Sequence, residues 1–177
     1  MSDNFLSLPV LPEKPRSTGL THVLDKGITL GSMKSHLESY AEFADVWKFG
    51  WGTAYVEKLL PSKIGLLREH GITACLGGTL LEIAWSQGRA SECLYWAEQA
   101  GFTAIEVSRG VADMSMEAKW ELIRTSAQSF RVFAETGYKS AERPLTPTQW
   151  HAEIMGDLAA GAEYIVAEGR ESGTVGL

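Results

Sequence analysis

The sequence predicts an α/β fold, a TIM-type (β/α)8 barrel truncated after its sixth strand. Six apolar runs of strand length each stop at a glycine or a charged residue: THVLDKG (21–27), VWKFGWG (46–52), ITACLGG (72–78), AIEVSRG (104–110), RVFAETG (131–137) and YIVAEGRESG (164–173). They recur at roughly 25- to 30-residue intervals with helix-like segments between them, the rhythm of βα units around a parallel sheet. In such folds ligands bind at the carboxyl ends of the strands, which is where these runs stop.

Residues 1–15 have neither a basic start nor a long apolar stretch, so they read as a Pro-bearing arm rather than a signal peptide or membrane anchor. Residues 16–177 form a single incomplete barrel domain. After the second run, residues 53–68 (TAYVEKLLPSKIGLLR) place apolar side chains at helical spacing, and Pro61 should kink or split the segment. Thr79-Leu80-Leu81-Glu82 fits a capping box, opening a helix that runs to about Gln99 and stops before Gly101. Residues 115–129 form a further amphipathic helix, and Thr148 to about Ala160 another, ended by Gly161.

With 177 residues, 45% of them hydrophobic and six of them tryptophan, the chain can bury a substantial core as one domain. A net charge of −6 without a Lys/Arg cluster excludes a nucleic-acid or membrane-surface binder, while local positive groups leave room for a small anionic ligand. Cys75 and Cys93 have no CxxC spacing and read as buried thiols of a cytoplasmic protein.

Strand parity sharpens the reading, because alternate side chains point to opposite faces. Glu106 and Ser108 share a face, Lys48 goes with Val46, Asp25 with Val23, Glu135 with Phe133, and Glu168 with Val166 and Tyr164. All five charged residues are expected to point inward from the last turns of their strands, with His22 on the opposite side from Asp25. Inward charges are costly unless paired or ligated, so the convergence points to a metal or substrate site. A structural ion-pair network at the barrel mouth is the alternative.

PRSTGLTHVLDKG (15–27), KFGWGTA (48–54), GGTLLEIA (77–84), IEVSRG (105–110), ETGYK (135–139) and AGAEYIVAEGRESG (160–173) resemble phosphosulfolactate synthase in order and spacing. The resemblance spans nearly everything from Arg16 to Gly173, with KFGWGT and EGRESG the specific signals. It implies a barrel that adds sulfite to phosphoenolpyruvate with magnesium, giving (2R)-phospho-3-sulfolactate. Some relatives, a plant heat-stress-associated protein among them, share the pattern without a secure assignment of that reaction. Two alternatives stay open: an inactive or regulatory relative, and another magnesium-dependent barrel lyase acting on a phosphorylated enol acid.

On this resemblance Glu106, Glu135 and Glu168 are the magnesium ligands, with Asp25 an alternative ligand or a support behind them that faces the substrate. Lys139 is the general acid and Lys48 the runner-up, which would otherwise neutralise a glutamate or bind the substrate carboxylate. Arg16, Lys26 and Arg170, with Arg109 the weakest of the set, are candidates for the phosphate or sulfite, since guanidinium matches anionic oxygens with paired donors. Gly77-Gly78-Thr79 offers backbone N–H groups to an anion, and Glu82 completes the cap. His36, His70 and His151 have no metal-ligand spacing and receive no role.

A closed eightfold barrel usually needs roughly 200 residues or more, so two βα units are expected to be missing. The common barrel phosphate site uses loops after strands seven and eight. Unpaired edges would favour poor solubility or a homo-oligomer, with little activity from the chain alone.

Overall fold

A computed structural model describes residues 6–7, 10–137 and 145–167. Among the described residues, six strands form one parallel sheet in sequential order: β1 (His22–Asp25), β2 (Val46–Phe49), β3 (Thr73–Leu76), β4 (Ala104–Val107), β5 (Arg131–Thr136) and β6 (Tyr164–Ala167). The sheet curls into a half-barrel with helices outside it. These are α1 (Leu30–Tyr40), α2 (Thr53–Val56), α3 (Leu60–Glu69), α4 (Gly78–Ser86), α5 (Ala90–Ala100), α6 (Met116–Ser126) and α7 (Pro147–Ala160).

Helix boundaries follow local chemistry. Helix α1, which the hydrophobic spacing had not singled out, is opened by the Thr29 hydroxyl accepting from Ser32 N. Pro61 splits residues 53–68 into α2 and α3, as a ring without an N–H should when it enters a helix's first turn. The single helix expected over 79–99 is two, because Gly88 at φ 69° breaks it between α4 and α5. A full capping box, Thr146 with Gln149, starts α7, and Gly161 ends it in the left-handed conformation.

The register sorts side chains onto two faces. Leu24 aligns with Lys48, Lys48 with Cys75, Cys75 with Ala104, Glu106 with Phe133, and Glu135 with Val166. On this face Val46, Cys75, Ala104 and Phe133 form a small cluster backed by Tyr164 and Val166. The opposite face, with Trp47, Phe49, Leu76, Ile105, Val107 and Ala134, packs into the main core under the helices. Parity in β1 is the reverse of the sequence expectation. Asp25 aligns with Phe49 on the helix side, while His22 aligns with Val46 and tilts against Phe133 at 5.2 Å between ring centroids.

Candidate functional site

Lys48 rises from the concave face of β2 between two carboxylates from neighbouring units. Its Nζ donates to Glu106 Oε2 at 2.6 Å and lies 4.0 Å from Glu135 Oε2. The other Glu106 oxygen accepts from Gly78 N at 3.1 Å, so the first amide of α4 holds this carboxylate. Glycine is required there: a Cβ on Gly78 would overlap Ser108, and one on Gly77 would sit 2.6 Å from Phe49 O. Burial opposes the charge on Lys48, but Glu106 and then Glu135 outweigh it and hold the ammonium's pKa above its ordinary value. His22 is pushed the other way, first by burial and then by Lys48, against a smaller opposing effect of Glu106. Its Nε2 is buried without a hydrogen-bond partner among the described residues.

Glu82 does not cap α4. The helix starts at Gly78 without a side-chain cap, and the Glu82 carboxylate accepts instead from Ser108 Oγ and from the backbone of Gly110, Val111 and Ala112. It thereby folds the β4–α6 loop back onto α4 beside Glu106. Behind β5, fully buried Lys119 donates to Glu135 O, Glu153 Oε1 and Asp157 Oδ2 at 2.8, 2.9 and 2.7 Å. Arg109 grips Glu153 with two donors, and Thr136 and Trp120 reach Asp157. The desolvation that raises Glu153 is outweighed by Arg109 and Lys119, which bring its pKa below the usual carboxylate value. For Asp157 desolvation wins and its pKa is raised.

The remaining sequence candidates separate. Asp25 is corrected to the helix side, where it accepts from Trp47 Nε1 at 3.1 Å and from the amides of Gly27 and Ile28. Arg16 lies at the opposite end of the sheet from Lys48, bound to Asp45 at 2.8 Å and to Glu42 O, which ties the N-terminal arm to the start of β2. Thr79 is half-buried in the first turn of α4, whose Gly78 amide is already taken by Glu106. Lys139, Glu168 and Arg170 lie outside the described residues.

Lys26 follows β1 at the Lys48 end and stacks its ammonium 4.7 Å from the centroid of the Trp51 ring. Trp51 occupies a turn closed by Thr53 N donating to Gly50 O at 3.1 Å, with positive φ at both central residues, 56° at Trp51 and 71° at Gly52. Outside the sheet, Gly27, Phe49, Thr53 and Lys63 line a cavity of about 570 Å³. Phe49 faces the helices, so this cavity is on the other side of the sheet from Lys48.

Comparison with known proteins gives the chain its family. The family model for (2R)-phospho-3-sulfolactate synthase (ComA) matches residues 9–177. The chain belongs to this family. It is 38% identical over 179 residues to a phosphosulfolactate synthase of Bacillus subtilis, an alignment covering 100% of this chain and 71% of that protein. The phosphosulfolactate synthase of Methanocaldococcus jannaschii is 39% identical over 160 residues, covering 88% of this chain and 64% of the relative. The chain thus spans about two thirds of the length of the curated relatives it matches.

Solved structures resemble it in fold alone. The carboxyl transferase domain of Rhizobium etli pyruvate carboxylase gives a TM-score of 0.60 at 15% identity, covering 84% of this chain and 27% of that one. A putative deoxyribose-phosphate aldolase from Coccidioides immitis gives 0.60 at 12%, covering 85% and 58%.

The carboxylates of this phosphosulfolactate synthase family member suit magnesium in donor type, since the ion takes oxygen ligands and usually one or two carboxylates with water and substrate completing its shell. Glu106 and Glu135 offer that number. Among the described residues no three His, Cys, Asp or Glu side chains form a larger ligand group. Sequence reasoning missed the Glu82 cradle and the Lys119 cluster, because a buried lysine on a helix looks like any solvated one. The i, i+4 pair Glu153 and Asp157 on α7 was the available signal.

Proposed function

We propose that the chain performs the phosphosulfolactate synthase reaction, magnesium-dependent addition of sulfite to phosphoenolpyruvate, in the cytoplasm and on small molecules alone. The observation that carries the reading is Lys48 held between Glu106 and Glu135 at the carboxyl end of the strands. Sulfite sulfur attacks the methylene carbon of phosphoenolpyruvate and forms the C–S bond. The C2=C3 electron pair moves toward the carboxylate, giving an aci-carboxylate, and a proton delivered to C2 restores the carboxylate while the phosphate ester stays intact. Bound magnesium, held by Glu106 and Glu135 with Glu168 a further candidate, would supply charge stabilisation.

Lys48 fits the task of holding negative charge. An efficient general acid has a pKa near the working pH, and Lys48 is shifted upward, away from it. In this reading Lys139, which follows β5 in sequence, is the proton donor on the strength of the family resemblance, with Lys48 the alternative. Asp25, buried against Trp47 on the helix face, supports the β1–α1 turn instead of meeting substrate.

The purified chain is incubated with phosphoenolpyruvate, sulfite and magnesium chloride, and phosphate esters are followed by phosphorus NMR. A new ester that requires sulfite is expected, formed at the low rate anticipated for an incomplete barrel, and Lys48→Met should abolish it in a folded protein. No sulfite-dependent ester from the parent chain would overturn the reading.

A further inference from the structure

We infer that Trp51 is a positioning residue, an aromatic platform that holds the Lys26 ammonium at the mouth of the site to receive an anionic substrate group. The inference rests on the proposed synthase reading and adds to it a residue that reading does not use. Three independent observations converge. The ammonium of Lys26 lies 4.7 Å from the Trp51 ring centroid, within the range of a cation–π contact. Among the described residues Lys26 has no carboxylate or hydrogen-bond partner, although the same sheet end supplies Glu106 and Glu135 to Lys48. Among the described residues its charge is met by the Trp51 ring alone.

The second observation is the backbone. Trp51 has φ 56° in a turn that favours Gly, Asn or Asp at that position, yet it carries the bulkiest side chain available. Burial does not explain the choice, because Trp51 is 64% exposed. A disfavoured residue that gains little from packing points to function. The third observation is place. Lys26 directly follows β1 and Trp51 lies two residues beyond β2, on neighbouring parallel strands at the end where barrels bind ligands, and the strands stay joined there by Gly50 N to Asp25 O at 2.8 Å.

A flexible lysine loses rotamer freedom when it grips an anion, and a ring that already confines the ammonium reduces that loss. The ring leaves the ammonium's N–H donors free on the solvent side, where a phosphate or carboxylate can accept them. Lys48 below remains committed to its two carboxylates.

Binding of phosphoenolpyruvate, and separately of inorganic phosphate, is measured by calorimetry on the parent, Trp51→Phe, Trp51→Gly, Lys26→Met and the Lys26→Met/Trp51→Gly double variant. Loss of the exposed cation–π contact should weaken phosphoenolpyruvate binding about three- to fivefold in Trp51→Gly, with most of it rescued in Trp51→Phe. In the Lys26→Met background the same Gly change should have no further effect. The melting temperature of Trp51→Gly should equal or exceed that of the parent, since glycine relieves the turn; a scaffold role for the ring predicts a fall.

Unchanged phosphoenolpyruvate affinity in Trp51→Gly, or equal weakening with and without Lys26, overturns the inference and leaves the synthase reading standing. Binding of phosphate but not phosphoenolpyruvate, with the same dependence on Trp51, supports the platform and removes the synthase reading. A parent chain that binds neither anion overturns the inference.

Discussion

Lys48 Nζ and Glu106 Oε2 are 2.6 Å apart, and the second Glu106 oxygen is held by the Gly78 amide, so one carboxylate joins β2, β4 and the start of α4. Glu106→Gln keeps the shape and removes the counter-charge. Breaking a fully buried pair typically costs about 3–5 kcal/mol. Here Glu135 remains 4.0 Å from the same ammonium, so a loss of about 2 kcal/mol is expected in urea denaturation. Lys48→Met should cost clearly less in the Glu106→Gln background than alone, and simple additivity would show that the pair is not coupled.

The same group sets an alkaline dependence. Its folded pKa is raised, so its contribution is fully present below the unfolded lysine value of about 10.4 and is lost as pH rises through the folded pKa. The melting-temperature gap between parent and Lys48→Met should be flat from about pH 7 to 9 and shrink above about 10.4. His22 acts at the acid end: its folded pKa is lowered, so the native state resists protonation and stability falls as pH drops below about 6.5. Replacing His22 with leucine should flatten that acid limb without touching the alkaline one.

The repeat of strand runs made the parallel half-barrel legible, because βα spacing and glycine stops are local signals. Lys48, Glu106 and Glu135 were placed on one face by alternation, and the register agrees. Alternation failed in β1. A strand of four residues at the sheet edge carries too little pattern to fix its phase, and Asp25 hides its polarity by accepting three hydrogen bonds on the helix side. Glu82 was misread for a related reason: Thr79 and Glu82 have capping-box spacing, but Gly77 already provides the extended residue before the helix, and the loop after β4 offers Glu82 better donors. Such long-range satisfaction leaves no trace in a local window.

Glu82 should therefore matter more to the β4–α6 loop than to α4. Glu82→Gln keeps one oxygen acceptor but loses the charge that three amides and the Ser108 hydroxyl share. Hydrogen bonds to a charged group are worth about 1.5–3 kcal/mol, so a global loss near 2 kcal/mol is expected. Hydrogen exchange should quicken at residues 110–112 while the amides in the middle of α4 keep their relative protection. Faster exchange throughout α4, with the loop unchanged, would restore the capping role.

Lys119 poses the sharpest energetic test, because its ammonium is fully buried between Glu153 and Asp157 and also fixes the backbone carbonyl of Glu135. Among the described residues, Lys119→Met retains the length of the side chain and leaves Glu153 dependent on Arg109, with Asp157 holding Thr136 and Trp120. Removing one partner from a buried cluster costs about 3–5 kcal/mol, against the fraction of that expected from Arg124→Met in the exposed Arg124–Glu121 pair. Gly156→Ala should damage the same cluster by another route. A Cβ there would overlap the Trp120 indole, whose Nε1 donates to Asp157 at 3.1 Å, so the ring must move and release that bond. Because Lys119→Met and Gly156→Ala converge on Asp157, their combined loss in urea denaturation should fall short of the sum of the singles by about 1 kcal/mol or more. A fully additive pair would mean that the indole and the ammonium act on separate parts of the fold.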